Sequence, residues 1–299
     1  ADVQGLGEGH STYSLLPNEN GGVVDDCMIT QRQGDIFLVV NAGCAPKDLA
    51  HLERQRIAHG GDVRLVPVAD RGLLALQGPK AESVLKDVLG LDTSTLLFLQ
   101  SHWDDLWGSP VYISRCGYTG EDGFELSLPN EIVERVWHTL VGDDRILPAG
   151  LAVRDSLRLE AGLCLYGHDI KENTTPVEAS LGWTIGKRRR VEGGFLGADR
   201  ILGQLESKDY LQRRVGIKLQ KGIPREDLFV LEPDTGKVIG AVCSGSFSPC
   251  LRKGIGMAYL DKAFTKIGSE IEVDIRGKLQ TATVTKMPFV PQKYRTHHS

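Results

Sequence analysis

Four polar clusters hold the residues whose types and spacing could do chemistry. The first is "VVDD", residues 23–26, two adjacent acids in an apolar stretch that reads as a strand. Side chains alternate along a strand, so Asp25 and Asp26 point to opposite faces and at least one faces an interior. A carboxylate in a partly apolar pocket has a raised pKa and can exchange a proton with a bound amine. The plainer reading is a strand end with one solvated acid and one acid bonded to a turn, and spacing alone does not decide between them.

The second cluster is "RCGYTGEDGFEL", residues 115–126. Gly117, Gly120 and Gly123 open backbone conformations denied to other residues and gather Tyr118, Glu121, Asp122 and Glu125. Asp122-Gly123 reads as a hairpin turn with its acids in water. That does not account for Glu125, which stands between Phe124 and Leu126 and faces the other way. An acid there could take two hydrogen bonds from a flat amidine-like heterocycle such as a pterin.

The third is "AVRDSLRLEAGL", within residues 150–170. Asp155 and Arg158 have the spacing of a surface i,i+3 pair worth a few tenths of a kcal/mol. Arg154, near the helix start, is placed to meet an anionic group or a partner protein. The fourth is "GKRRR", residues 186–190, which reads as a solvated basic face, with attraction of a polyglutamate tail or an acidic protein as the alternative.

Several classes of chemistry fall away. There is no P-loop, no GxGxxG after a strand, no HExxH and no GxSxG elbow. The six cysteines lie far apart with no CxxC and no zinc-like His pairing, which predicts buried free thiols in a reducing compartment and no metal. A net charge of −4 gives no overall field for nucleic acid or an anionic membrane. No apolar run approaches the ~20 residues a bilayer requires; "IFLVV" at 36–40 is strand length. With 41% hydrophobic and 25% charged residues, the composition is that of a globular protein. The chain starts at Ala1 with "ADVQGLGEGH", neither presequence nor signal peptide, which suggests a processed or truncated start.

The elements that must position these clusters follow from pattern. A length of 299 residues predicts two or three domains. "VVDDCMIT" and "IFLVVNAG" read as a strand hairpin followed by the helix "PKDLAHLERQRIAHG", with Pro46 in its first turn and Gly60 at its stop. "PVYISRCG", "GFELSLP" and "NEIVERVWHTLVG" repeat that order, with Asn130 expected as N-cap and Gly142 as stop. Between them "VRLVPV" and "LLALQG" read as strands and "PKAESVLKDVLG" as a helix. Residues 149–163 read as a further helix, and "LGQLESKDYLQ" as a connection. From about Asp209 the chain becomes short alternating strands, predicting a small antiparallel barrel or sandwich. The class is α+β.

Taken together, "NENGGVVDDCMIT", "LVVNAG", "LALQGPKA", "RCGYTGEDGFEL", "PAGLAVRDSLRLEAGLCLYGHDI", "TTPVEASLGWTIGKRRR", "CSGSFSP" and "KMPFVP" resemble, in order, the aminomethyltransferases (T-proteins) of the glycine cleavage system. The resemblance implies a three-domain cloverleaf around a central folate cavity with a C-terminal β-barrel. We place the boundaries at 1–60, the remainder of the first domain, 61–205 and 206–299. It implies a transferase that receives an aminomethyl group on the lipoyl arm of the H-protein, releases ammonia and passes the one-carbon unit to tetrahydrofolate as 5,10-methylenetetrahydrofolate. Asp26 matches the family's catalytic aspartate beside the folate nitrogen that acts as nucleophile. Asn41 and Tyr13 match folate-cavity residues, Glu125 the acid that grips the pterin, and Tyr118 an aromatic wall. Arg154 and Tyr166 match positions near the lipoyl entrance and folate. A monomer in the mitochondrial matrix is implied for a eukaryotic source, and the cytoplasm otherwise.

Family members carry a further half-domain ahead of the stretch matching "ADVQGLG", with an "FDVSHM"-type motif that walls the folate cavity, and this sequence has no equivalent. Loss of such a segment predicts exposed strand edges in the first domain and weakened folate binding. Two rival readings accompany the transferase: a folate domain related to sarcosine and dimethylglycine dehydrogenases, which carry a flavin domain, and a folate-binding but inactive fragment. The "KGCYxGQE" stretch of the folate-binding iron–sulfur assembly group is missing.

Overall fold

Residues 1–296 are described by the computed structural model. Their contacts form two compact units, one made of Ala1–Gln4, Tyr13–Cys27 and Asp155–Pro291, the other of Gly5–Thr12, Met28–Arg154 and the stretch from Gln292. β1 (Ser11–Pro17), β2 (Val23–Arg32) and β3 (Asp35–Val40) form a three-stranded sheet in that order, and β1 and β2 each contribute residues to both units.

In the second unit, α1 (Ala45–His59) follows β3. Proline stands in its first turn, and Gly60 closes it at φ 68° with its N–H on the Arg56 carbonyl. β4 (Arg71–Gln77), β5 (Ser101–Leu106), β6 (Ser109–Ser114) and β7 (Gly123–Pro129) form an antiparallel sheet of order β4-β7-β6-β5. One sheet face buries Val111, Ile113, Phe124, Leu126 and Leu128. Covering it are the short α2 (Ala81–Val84), the π-helical turn Leu85–Leu89, and α3 (Asn130–Val141) through Val136 and Leu140. The period of two along β7 therefore commits Glu125 and Ser127 to the opposite face.

Two local expectations are corrected here, and one strand stands where none was anticipated. "VRLVPV" forms no strand: Val63, Val66 and Val68 are exposed, and Pro67 removes a ladder donor from a segment with no sheet to join. β5, whose Asp104 and Asp105 disfavour strand, is made by its hairpin instead. Trp107 and Gly108 both take positive φ, 58° and 82°, as a two-residue turn matched to strand twist requires. Asn130 does not cap α3; its side-chain amide donates to the Ala69 carbonyl at 3.3 Å.

In the first unit, α4 (Leu151–Glu160) is shorter than the expected 149–163, and its residues from Asp155 onward belong here. α5 (Lys187–Glu192) and α6 (Ala198–Ser207) follow, the latter where a plain connection was expected. β8 (Gln212–Leu219), β9 (Phe229–Leu231), β10 (Val238–Ser248), β11 (Lys253–Asp261), β12 (Glu270–Ile275) and β13 (Lys278–Thr285) close into a barrel of order β10-β11-β8-β13-β12-β9. Val215, Ile217, Val230, Ile239, Leu260, Ile271, Val273 and Val284 fill its core. The mixed helix-strand front and the terminal barrel agree with the expected α+β class. Among the described residues, no helix is long and apolar enough to cross a membrane.

Candidate active site

The two acids of "VVDD" divide as strand alternation requires. Asp25 is fully buried and Asp26 half-buried. Tyr13, on β1, donates its hydroxyl to Asp26 Oδ2 at 2.8 Å. Burial, then the charge of Asp26, pushes the Tyr13 phenol well above its ordinary range, so it stays protonated and serves as a donor. Tyr166 packs with Tyr13 against Leu15, Val23, Cys164 and Ile170, and its hydroxyl donates to the Val23 carbonyl at 3.3 Å. The indole of Trp183, 63% exposed, stacks on the Tyr13 ring at 5.8 Å between centroids and 26° between planes. These residues give the first unit a carboxylate held by a phenol and flanked by flat aromatic surface.

A buried ion pair supports the same unit. Arg158 is 2% exposed, not a surface partner of Asp155. Its guanidinium reaches Asp155 at 2.8 Å, as the spacing predicts, but also the fully buried Asp169 at 2.6 Å, Ser244 Oγ at 2.8 Å and the Leu163 carbonyl at 3.2 Å. Ser244 is placed by a β-bulge: from Val242 to Ser244 the strand β10 advances two residues while β11 advances one. The "GKRRR" run stays on the surface, as expected of a basic face, with its arginines paired locally. Arg188 pairs with Asp2 at 2.7 Å and Glu192 at 2.5 Å, Arg189 donates to the Gly194 carbonyl, and Arg190 donates to the carbonyls of Ile185 and Gly182.

In the second unit Glu125 sits on the sheet face opposite the core, level with Ala75 of β4 and Ser114 of β6. Burial pushes its carboxyl above the usual range, opposed by a hydrogen bond from Cys116 and by the charge of Arg154. The Cys116 thiol is itself pushed well above its ordinary value by burial and by Glu125, so it keeps its proton to donate. The Arg154 guanidinium lies 4.5 Å from the centroid of the Tyr118 ring, a cation–π contact. Glu125, Arg154 and Tyr118 are thereby brought together. Asn41, half-buried, follows β3 in the same unit, where its carbonyl accepts from the Cys44 N–H at 2.8 Å.

The loop that carries Tyr118 is anchored at its base. Arg115, 1% exposed, donates in bidentate fashion to Asp122 at 2.9 and 2.5 Å, pairs with Glu82 at 2.7 Å and donates to the Leu96 carbonyl at 2.9 Å. Asp122 is thus a structural acid, not a turn residue bathed in water. The C-terminal stretch joins the same loop. Lys293 N–H donates to the Gly120 carbonyl at 2.8 Å, Lys293 Nζ pairs with Glu121 at 2.8 Å, and Tyr294 stacks on Phe98 at 3.8 Å. Cys116, Trp183 and Tyr294 were not among the residues singled out from sequence. Each lies outside any periodic pattern, so no local signal in the sequence marked it.

Known proteins locate this arrangement. Residues 1–189 match the GCVT N-terminal domain, and residues 212–291 the glycine cleavage T-protein C-terminal barrel domain. The mitochondrial aminomethyltransferase of Dictyostelium discoideum is 46% identical over 307 residues, which span 99% of this chain and 76% of that protein. That of Flaveria anomala is 48% identical over 300 residues, 98% of this chain and 73% of the relative. Among solved structures, the glycine cleavage system aminomethyltransferase T of Bartonella henselae superposes with a TM-score of 0.92 at 40% identity, covering 99% of this chain and 80% of that one. The chain belongs to the glycine cleavage T-protein family.

Proposed function

We propose that this chain performs the aminomethyltransferase reaction of glycine cleavage, with Asp26 as the residue that acts on the reacting amine. The observation that carries the assignment is the Tyr13–Asp26 pair, a half-buried carboxylate fixed in orientation by a phenol that does not ionise. Tetrahydrofolate is the acceptor and the aminomethyl group arrives on the lipoyl arm of the H-protein. Two nitrogens of the reduced pterin cofactor each form a C–N bond to the transferred carbon as its bonds to the amino group and to the lipoyl sulfur break, and the two N–H protons lost end on ammonia and on the dihydrolipoyl thiol. Asp26 positions the amine, takes up its proton as the bond forms and stabilises the iminium-like carbon electrostatically.

Glu125 faces away from its core and carries acceptor oxygens in a desolvated setting, which suits the donor edge of the pterin. Tyr118 supplies an aromatic wall, and Arg154, held over it, meets the anionic part of folate or the approaching carrier. Tyr13, Tyr166 and Asn41 are assigned as further folate contacts. The relatives named above are aminomethyltransferases, which sets aside the dehydrogenase-type folate domain. Their names also carry the mitochondrial location, and we place this chain in the matrix as a monomer, with the domain division 1–60, 61–205 and 206–299.

The test is turnover with aminomethylated H-protein and tetrahydrofolate. Formation of 5,10-methylenetetrahydrofolate with release of ammonia supports the reading; folate binding with no product refutes it.

A further inference from the structure

We infer that Gln77 is the positioning residue of the Tyr118–Glu125 loop, its one carboxamide tying the loop's entry, middle and exit together. The inference rests on the assignment of Tyr118 and Glu125 as folate contacts. Gln77 ends β4, directly opposite Gly123 in the ladder with β7. Its Nε2 donates to the Cys116 carbonyl at 3.0 Å, where the loop begins, and to the Phe124 carbonyl at 3.3 Å, where it ends. Its Oε1 accepts from Thr119 Oγ1 at 3.0 Å, and that hydroxyl oxygen accepts from the Glu121 N–H at 3.3 Å. Two donor hydrogens and an acceptor in one plane are what a carboxamide offers and a carboxylate does not.

The glycines of the motif fit this role. A Cβ on Gly117 would lie 1.9 Å from Gln77 Oε1, and a Cβ on Gly123 would lie 2.7 Å from Gln77 Cδ. Both positions are kept bare so that the Gln77 side chain can pass between the two ends of the loop. Gly120 differs, since its φ of 76° is the left-handed turn itself. The Phe124 carbonyl belongs to the peptide that leads into Glu125. Holding it therefore fixes the direction in which the Glu125 side chain leaves the strand. The Cys116 carbonyl does the same one residue ahead of Gly117-Tyr118, and Cys116 also donates its thiol proton to Glu125. Gln77 thus acts on the pterin contacts through the backbone, without touching the reacting atoms.

The test compares wild type with Gln77→Met, Gln77→Glu and the milder Thr119→Val, each checked for folding by thermal melt. For either Gln77 variant we expect the KM for tetrahydrofolate to rise about tenfold, the size of one or two lost hydrogen bonds. The kcat should hold within about twofold, because Asp26 is untouched. Amide hydrogen exchange should quicken within 116–124 and nowhere else. Thr119→Val, which removes one of the contacts, should shift KM in the same direction by less and serves if both Gln77 variants misfold. An unchanged KM in folded variants overturns the inference, as does a parallel loss of kcat, KM and melting temperature. If the wild-type protein forms no product, the functional assignment fails by itself, and amide exchange alone then decides the role of Gln77.

Discussion

Tyr13 Oη donates to Asp26 Oδ2 across neighbouring strands at 2.8 Å, which fixes the plane of the one acid of the pair that is not fully buried. Asp26→Asn keeps the shape and removes the charge and the basicity. The expected result is a fall in kcat of about 10²–10⁴ with tetrahydrofolate affinity retained, since general base and electrostatic contributions are lost together. Single-turnover rates and a folate titration check it. A mutant with wild-type kcat would show that another group carries the proton.

Tyr13→Phe isolates the orienting contact. The ring and its stacking with Trp183 are preserved, and only the hydrogen bond to a charged acceptor is lost. Such a bond is worth ~1.5–3 kcal/mol, so kcat should fall by about tenfold or somewhat more. The KM for folate should move much less. A loss confined to KM would make Tyr13 a binding residue only.

Glu125 makes a prediction about pH and stability. Its carboxyl pKa is raised in the folded protein, chiefly by burial. Between the unfolded and folded values the native state therefore holds more protons than the unfolded one, so stability falls as pH rises through that window. Below the unfolded value the group contributes no loss. Glu125→Gln should thus melt higher than wild type at neutral pH and nearly equal to it near pH 4, while binding folate less tightly. Melts across that range, paired with folate titrations, read both effects. A variant less stable at neutral pH would show that the ionised acid is a net stabiliser.

Arg158 and Asp169 should behave as a buried pair. Arg158→Met leaves the Asp169 charge without its main partner and should destabilise the protein by ~3–5 kcal/mol. Asp169→Asn in the same background should recover much of that, because the stranded charge is then gone. Denaturant unfolding of the two single variants and the double variant closes the cycle. Strict additivity would rule out direct coupling.

How legible these features were depended on the range of the interactions that make them. Glu125 could be read because a period of two between Phe124 and Leu126 is a local signal, and the same is true of Gly60 closing α1. The barrel strands were visible for the same reason. Arg158 was misread because its contact with Asp155 is real and three residues away. The contacts that bury it come from Asp169, eleven positions on, and from Ser244 on a barrel strand. "VRLVPV" has strand composition but no sheet to join, whereas β5 has acids but a hairpin partner, so tertiary context decided both against local propensity. The roles proposed for Asp26, Tyr13 and Asn41 rest only on likeness to a family, since nothing in their spacing distinguishes them from structural residues.

The bulge at Cys243 carries a consequence for how this protein can change. That extra residue sets the phase of β10, with Val242 given to the barrel interior and Ser244 to the arginine of α4. Removing that extra residue would leave Ser244 opposite Met257 in a regular ladder and every later pair on its present face, so the strand can change in length at the bulge with its facing intact.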